Sequence, residues 1–340
     1  MAAPDIKNFT FEELKAVYKN DALPSFVAAQ IFSWVYEKRV EDFDAMTDIA
    51  KTTRTCLKDK YSISTLRVKK EETSKDGTKK YLLALGEGDC IEAVVIPFDE
   101  RATLCVSSQV GCKFGCAFCL SGTSGFKRNL SAAEIINQYL AIADRLAPRA
   151  ITNIVFMGIG EPLDNFDAVV KSIRILTEPR GLSIPKRRVS LSTCGLTPQI
   201  EKLIGYDLGI KLSVSLHSAD DELRTKIMPV NKKYPVTDLV RTLKAYSRNG
   251  RYPISFEYVM LPGYNMSDKD VLKLAALLKG VRSKLNLIPY NESSLDFSTP
   301  DGRQVQIFTK ELKKRGVFFT LRKSRGGDIH AACGQLRAQR

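Results

Sequence analysis

Apolar residues recur first at helical spacing and then at strand spacing, and the change of period divides the chain. Residues 10–20, Thr-Phe-Glu-Glu-Leu-Lys-Ala-Val-Tyr-Lys-Asn, predict a helix. Thr10 stands at its N-cap and Glu13 three residues later, the two halves of a capping box. Residues 25–38 predict a second helix, with Phe26, Ile31, Trp34 and Val35 as the core of a small helical module. Residues 41–60 predict a third. Between about 64 and 100 the period falls to two. Lys80-Tyr-Leu-Leu-Ala-Leu and Cys90-Ile-Glu-Ala-Val-Val-Ile-Pro read as paired strands around Gly86-Glu-Gly-Asp89. Glu92 falls on the second of these, between Ile91 and Ala93, where a glutamate is ordinarily the solvent-facing half of an alternation.

From residue 101 strands and helices alternate. Strands are predicted at 103–108, 152–157, 187–192, 210–216, 254–260 and 285–290. Helices are predicted at 131–146, 166–178, 197–204, 236–249, 268–279 and 304–315. Such a series implies parallel strands with right-handed crossovers, but it is short of the eight that close a full barrel. The expected fold is therefore α/β: a partial (β/α)6 TIM-like barrel, open on one side, with an N-terminal helical accessory domain and a small β extension. A last strand, Val317-Phe-Phe-Thr-Leu321, leads into the tail. The expected division is 1–63 for the helical domain, 64–100 for the β-hairpin extension, 101–322 for the barrel and 323–340 for the tail.

Composition changes this picture in one respect. An apolar content of 44% supports a full globular core, and 26% charged residues is ordinary. The balance of 52 Lys+Arg against 38 Asp+Glu gives +14, which favours polyanionic partners. Basic groups stand at Lys127-Arg128, Lys186-Arg-Arg188, Lys232-Lys233, Lys313-Lys-Arg315 and Arg322-Lys-Ser-Arg325. The last, beside the tail, is the best placed for phosphate contact. No apolar run has the length of a membrane span, and the start, Met-Ala-Ala-Pro-Asp-Ile-Lys, has no signal-peptide pattern. The expectation is a cytoplasmic, monomeric protein. Its 8 cysteines then suit metal ligation or catalysis better than a disulfide framework.

Three of them, Cys112, Cys116 and Cys119, are spaced C-x3-C-x2-C among pliable glycines. A loop of this kind can wrap three thiolates around one face of an iron–sulfur cube. An ordinary 4Fe–4S cluster takes four cysteines, so three leave one iron open for substrate. Structural zinc would want a fourth Cys or His at a second short spacing, and the next cysteine is the distant Cys194. Ligands of parallel β/α folds gather at the carboxyl ends of strands. Met157-Gly-Ile-Gly-Glu-Pro-Leu163, Ser190-Leu-Ser-Thr-Cys194-Gly, Ser213-Val-Ser-Leu-His217 and Leu287-Ile-Pro-Tyr-Asn291 fall there. The first lacks the later glycine of a dinucleotide fingerprint. It could be a tight β/α turn or a close approach of backbone to ligand.

The cysteine triplet with its aromatic neighbour, Cys112-Lys-Phe-Gly-Cys-Ala-Phe-Cys119, resembles the radical S-adenosylmethionine (SAM) signature. Its flank, Thr103-Leu-Cys-Val-Ser-Ser-Gln-Val-Gly-Cys112, and the distant Gly327-Asp-Ile-His-Ala-Ala-Cys-Gly-Gln-Leu336 resemble the RlmN/Cfr family of RNA adenine methyltransferases. The likeness runs from about residue 10 to residue 336. It implies a 4Fe–4S cluster on Cys112, Cys116 and Cys119. It also implies SAM contacts at Gly160, Glu161, Ser192, Ser215, Leu216, His217 and Asn291, and an N-terminal domain that helps hold RNA.

The resemblance further implies a ping-pong methyl transfer. Cys333 takes a methyl from one SAM, a radical made from a second SAM activates it for attack on an adenine carbon, and Cys105 resolves the adduct. A Cys105–Cys333 disulfide is left for reduction, and Glu92 is the implied base. The implied partners are 23S ribosomal RNA, tRNA and a reduced one-electron donor such as flavodoxin. Carbon 2 of adenine is the expected target, since Glu161-Pro162 resembles the carbon-2 group. The alternative is the Cfr-type carbon-8 reaction linked to antibiotic resistance. A non-catalytic iron–sulfur RNA-binding protein and a glycyl-radical activase are further alternatives, and the activase has no use for the Cys105/Cys333 pair. No role is assigned to Cys194, and His330 stands where the family often has Asp.

Overall fold

The computed structural model describes residues 3–20, 26–123 and 125–338. The N-terminal segment is helical, as its pattern predicts. Helix α1 spans Phe11–Asn20 and starts with the expected capping box. The Thr10 amide donates to Glu13 Oε2 at 2.7 Å, and the Glu13 amide donates to Thr10 Oγ1 at 3.2 Å. Helix α2 spans Phe26–Phe32 and runs into a wider helical turn over Ser33–Glu37. Ser25, its expected first residue, lies outside the described residues. Phe26 is exposed rather than part of the core. Val27 takes the inward position one turn before Ile31, and the neighbouring residue is carried about 100° round the helix.

Residues 41–60 are not one helix. A single turn at Phe43–Ala45 precedes helix α3, Lys51–Lys60. Asp42 caps the turn by accepting from the Asp44 amide at 2.9 Å, and Asp48 is held by Trp34 Nε1 at 2.5 Å. The chain leaves the helical path there and buries Phe43, Met46 and Ile49 instead. This module is fixed to the rest of the chain through buried Lys7, whose ammonium donates to Ser64 O at 2.5 Å and Asn137 Oδ1 at 2.8 Å.

Ten strands among the described residues form one sheet. The first four are β1 (Arg67–Thr73), β2 (Lys79–Ala84), β3 (Cys90–Phe98) and β4 (Arg101–Cys105), antiparallel in sequence order. The expected hairpin is thus continuous with the barrel sheet, joined where Val94 pairs Cys105. A small separate ribbon pairs β5 (Gln109–Gly111) with β6 (Phe126–Asn129). From β4 onward the sheet is parallel through β7 (Ala150–Phe156), β8 (Val189–Thr193), β9 (Lys211–Ser215), β10 (Ile254–Met260), β11 (Ser283–Pro289) and β12 (Phe319–Leu321). The sheet order ends at β1 and β12 without closing, so the barrel is partial as expected.

Short α4 (Leu120–Thr123) follows the cysteine loop. The crossover helices are α5 (Ala132–Ala143), α6 (Phe166–Leu176), α7 (Thr197–Ile204), α8 (Asp221–Ile227), α9 (Val236–Asn249), α10 (Asp268–Leu278) and α11 (Gly302–Lys314). Of these, the sequence pattern misses α8, a helix of two turns capped by Asp220, which accepts from the Leu223 amide at 3.0 Å. Alternation along each strand sorts the two faces. On β10, Phe256 and Tyr258 are buried on the helix side, where Tyr258 stacks on Phe308 of α11. The alternate residues Glu257 and Val259 turn into the barrel and line its cavity. Among the described residues, no helix is long and apolar enough to cross a membrane.

Candidate active site

The cysteine loop lies between β5 and α4, and its backbone is pinned from three directions. The Cys112 amide donates to Gly125 O at 2.8 Å, Ala117 to Ile227 O at 2.9 Å, and Leu120 to Gly334 O at 2.8 Å. Gly111, at φ +75°, sits so close to the Gly125 carbonyl that a Cβ would lie 1.8 Å from its oxygen. No other residue could bring β5 and β6 together there. Cys112, Cys116 and Cys119 all line one cavity of about 1020 Å³, open to solvent on one side. Burial pushes the Cys112 thiol up to about 12 and those of Cys116 and Cys119 upward as well.

The donor set fits a cluster with one open iron. Three thiols come from one loop, and the wall facing them is built from strand ends. Gly160, Glu161, Ser192, Ser215, His217 and Asn291 line the same cavity. Glu161 is buried, and its carboxylate accepts from the Cys194 amide at 2.7 Å and the Leu163 amide at 3.0 Å. Burial raises its pKa, against those hydrogen bonds. His217 Nδ1 accepts from the Val259 amide at 2.9 Å, and burial lowers its pKa to about 3. The ring is therefore neutral, and it meets Phe118 edge-on at 4.7 Å. Leu216 does not join this group. Its side chain is in the core, its amide donates to Glu257 O at 3.0 Å, and its carbonyl is taken by Arg224.

A second cavity of about 670 Å³ adjoins the first, since Cys119, Ser121, Met157, Gly158, Asn291, Arg322 and Cys333 line both. It brings together Cys105, at the end of β4, and Cys333, on the tail. Cys333 is exposed and Cys105 is buried. Burial, with Cys333 beside it, pushes the Cys105 thiol up to about 12. The tail is stitched down on both sides of Cys333. Ser121 Oγ donates to Leu336 O at 2.8 Å, and Gln335 Nε2 donates to Glu292 O at 2.6 Å. Further back, Asp328 accepts from Ser74 Oγ at 2.5 Å and the Lys75 amide at 3.1 Å. The turn between β1 and β2 thus clasps the tail, which gives the β extension a structural task.

Glu92 is buried rather than solvent-facing, because the tail crosses its face of β3. Its Oε2 accepts from the Arg337 amide at 2.7 Å, and Lys80 stands 3.6 Å from Oε1. Burial raises its pKa against the pull of Lys80. Its side chain is not among those lining the two cavities.

Three contributors are missed by sequence reasoning. Arg224 of α8 is fully buried and donates to the carbonyls of Leu216 (3.1 Å), Cys194 (2.8 Å) and Ser215 (3.1 Å) and to Asn231 Oδ1 (2.6 Å). One guanidinium thus ties the ends of β8 and β9 around the cavity. Gln109 accepts from the Glu161 amide at 2.8 Å and donates to Asp164 at 2.8 Å, holding the β7 turn against the cysteine loop. Glu257 lines the cavity and accepts from Asn286 Nδ2 at 2.6 Å. Arg322, expected among phosphate contacts, lines both cavities with Cys333. The strand period would have turned Glu257 inward, but Arg224 carries no local signal.

An open parallel barrel whose strand ends face three loop thiols defines a radical SAM enzyme. Residues 106–275 match the Radical SAM superfamily, and residues 4–63 match the ribosomal RNA large subunit methyltransferase N-terminal domain. The chain is 44% identical over 337 residues to the dual-specificity RNA methyltransferase RlmN of Syntrophotalea carbinolica, covering 98% of this chain and 90% of that one. It is 45% identical to the protein of that name from Syntrophobacter fumaroxidans, covering 98% of each. The crystal structure of a radical SAM methyltransferase from Sphaerobacter thermophilus superposes with a TM-score of 0.92 at 40% identity, covering 99% of this chain and 100% of that one. The chain belongs to the RlmN family of RNA methyltransferases. It is a SAM-dependent enzyme that works with a 4Fe–4S cluster, and its substrate is RNA.

Proposed function

We propose that the enzyme methylates carbon 2 of an adenine in 23S ribosomal RNA and in tRNA, with Cys333 as methyl carrier and Cys105 as resolving thiol. The observation that carries this reading is the shared cavity of Cys105 and Cys333, joined to the cavity of the cluster thiols. Carbon 2 of adenine is electron-poor and cannot attack a sulfonium directly, so a thiol-borne carbon activated as a radical is a chemically sufficient route. Dual specificity in the names of the relatives supports two kinds of RNA, and Glu161-Pro162 supports carbon 2.

When bound, the cluster and SAM supply the methyl group, the electron and the 5′-deoxyadenosyl radical. Residues 112, 116 and 119 hold the cluster. Glu161 and Gly160 meet the amino end of SAM, and Ser192, Ser215, His217 and Asn291 meet the remainder. Cys333 loses its thiol proton on taking the methyl and later bears the carbon joined to adenine. Cys105 then attacks Cys333 Sγ. The sulfur–carbon bond breaks with its electron pair going to carbon, and that carbon ends with the proton lost from the ring. The one surplus electron of the radical adduct would pass to the bound cluster, and the resulting disulfide is reopened by an external thiol reductant. Glu92, which lies under the tail with its Oε2 held by the Arg337 amide, would reach the ring proton once the tail moves. The adenine must leave its stack to enter, and residues 4–63 help hold the RNA. The setting is the cytoplasm, with a monomeric chain and flavodoxin as donor.

Methylation of ribosomal RNA and tRNA side by side, followed by digestion and mass spectrometry, tests the reading. A product methylated at carbon 8 overturns the carbon assignment. Cys105→Ala should accumulate a covalent RNA adduct, and adduct-free loss of product overturns its resolving role.

A further inference from the structure

We propose that Tyr264, Phe297 and Tyr234, with the lysines beside them, form a stacking platform for an unpaired stretch of RNA next to the target nucleotide. The three rings stand in segments that follow the carboxyl ends of β10, β11 and β9, the strands whose ends supply Val259, Tyr290 and Ser215 to the cysteine-loop cavity. One apolar cluster, with Met228, Leu261 and Tyr290 among its buried members, carries Tyr234 and Phe297 on its half-buried margin. The Tyr290 ring meets Phe297 at 5.7 Å, and Phe297 meets Tyr264 at 5.2 Å. A run of three rings thus leads from the cavity wall to the surface, where Tyr264 is 39% exposed.

The platform is held rigidly. Gly263 turns the chain at φ +79°, and buried Asn265 fixes the turn from inside. Its side chain accepts from the Leu261 amide at 2.7 Å and donates to the carbonyls of His217 at 2.8 Å and Val259 at 2.6 Å. Tyr264 is therefore tied to the same backbone that places His217 in the cavity. The Phe297 loop is folded back in a similar way. Thr299 Oγ1 donates to Tyr290 O at 2.9 Å, and the hydroxyls of Tyr290 and Ser293 lie 2.6 Å apart. Aromatic rings on fixed loops offer a flat face at little entropic cost, and every base has a face to stack on it.

Charge selects the partner. Lys226 Nζ stands 5.6 Å from the Tyr264 ring and Lys233 Nζ 5.5 Å from the Tyr234 ring, with Lys232 next to Lys233 in the chain. None of these three lysines has an ion-pair partner among the described residues. Glu292 and Asp296 belong instead to the Phe297 loop, so phosphates are favoured on the α8 side and bases over the rings. Lysines alone would suit an acidic protein surface. Rings interleaved with lysines fit a strand that carries a base for each phosphate. Paired RNA hides its base faces, so the occupant is single-stranded or looped. The inference rests on RNA as the substrate and not on which adenine carbon is methylated.

The test uses the full-length chain and two RNA probes, a hairpin with an adenine in its loop and a blunt duplex of equal length. With 5-iodouridine beside the loop adenine, near-ultraviolet light should crosslink the hairpin to the peptide containing Tyr264 or Phe297. Crosslinks confined to other surfaces overturn the proposal. By fluorescence anisotropy, Tyr264→Ala should weaken hairpin binding about tenfold and leave duplex binding unchanged, while Tyr264→Phe keeps full affinity. Lys226→Met and Lys233→Met should each lower the slope of log affinity against log salt by about 0.7. No loss with Tyr264→Ala, or equal loss on both probes, overturns the proposal. So does unchanged hairpin affinity joined to slower cluster reduction by an acidic flavoprotein, which would mark a protein-docking face. Failure of the unmutated chain to bind either probe overturns both the platform and the RNA reading beneath it.

Discussion

The side-chain amide of Asn291 donates to the main-chain carbonyl of Cys333 at 3.1 Å. Asn291 lines both cavities, so one residue touches the cavity of the cysteine loop and the Cys333 tail together. Asn291→Ala is expected to slow S-methylation of Cys333 about tenfold, the scale of one lost hydrogen bond. Intact-protein mass spectrometry against time measures it, and an unchanged rate would show that the bond does not position the thiol.

In the proposed reaction, attack by Cys105 depends on its thiolate, and burial holds this thiol up near 12. Below that value each pH step of one unit multiplies the thiolate about tenfold. Release of the RNA adduct should therefore accelerate between pH 7 and 9 rather than level off. Quench-flow on pre-formed adduct reads this directly, and a flat profile would point to a different rate-limiting step.

Arg224 is the buried cation that holds the ends of β8 and β9. Arg224→Met leaves carbonyls orphaned at about 1–3 kcal/mol each. Loss of about 3 kcal/mol and a fall in Tm of roughly 5–10 °C are expected, with weaker SAM binding. Differential scanning calorimetry would contradict this if Tm held.

Gly160 stands at φ +105°, and an added Cβ would lie 2.6 Å from Gln109 Cβ and 2.9 Å from its backbone nitrogen. Gly160→Ala should push the β7 turn away from the cysteine loop. Loss of SAM binding by isothermal titration is expected, with the chain still folded by circular dichroism. Retained affinity would show that the turn tolerates the shift.

Asp328 ties the tail to the turn between β1 and β2, and the bonds it accepts from Ser74 and Lys75 lower its pKa. A depressed carboxyl pKa means that the anchor is present at neutral pH and is lost as pH falls through the folded-state value. Asp328→Ala should speed proteolytic clipping of the tail at neutral pH and slow Cys333 methylation. In acid the two proteins should be clipped at the same rate.

The chain pattern carried most of the barrel. Strands and crossover helices fall close to their predicted places because each has one apolar face and a clear period. It failed at residues 41–60, where Asp42 and Asp48 bond outside the helix, and at α8, which is too short to show a period. It also set Glu92 on a solvent face, since nothing local announces that a tail from the far end of the chain will cover it.

The sequence by itself determined the chemistry available: three thiols at one spacing, two more in flanking motifs, and glycines where backbone must come close. These are local, so they are legible in order along the chain. Only the tertiary structure decided which groups meet. It joined the chambers of Cys105 and Cys333 and of the cluster thiols, drew Arg322 inward, took Leu216 out of the cavity and put Cys194 into it. Each of these depends on long-range packing and on the pairing of buried charge, and neither leaves a period in the sequence.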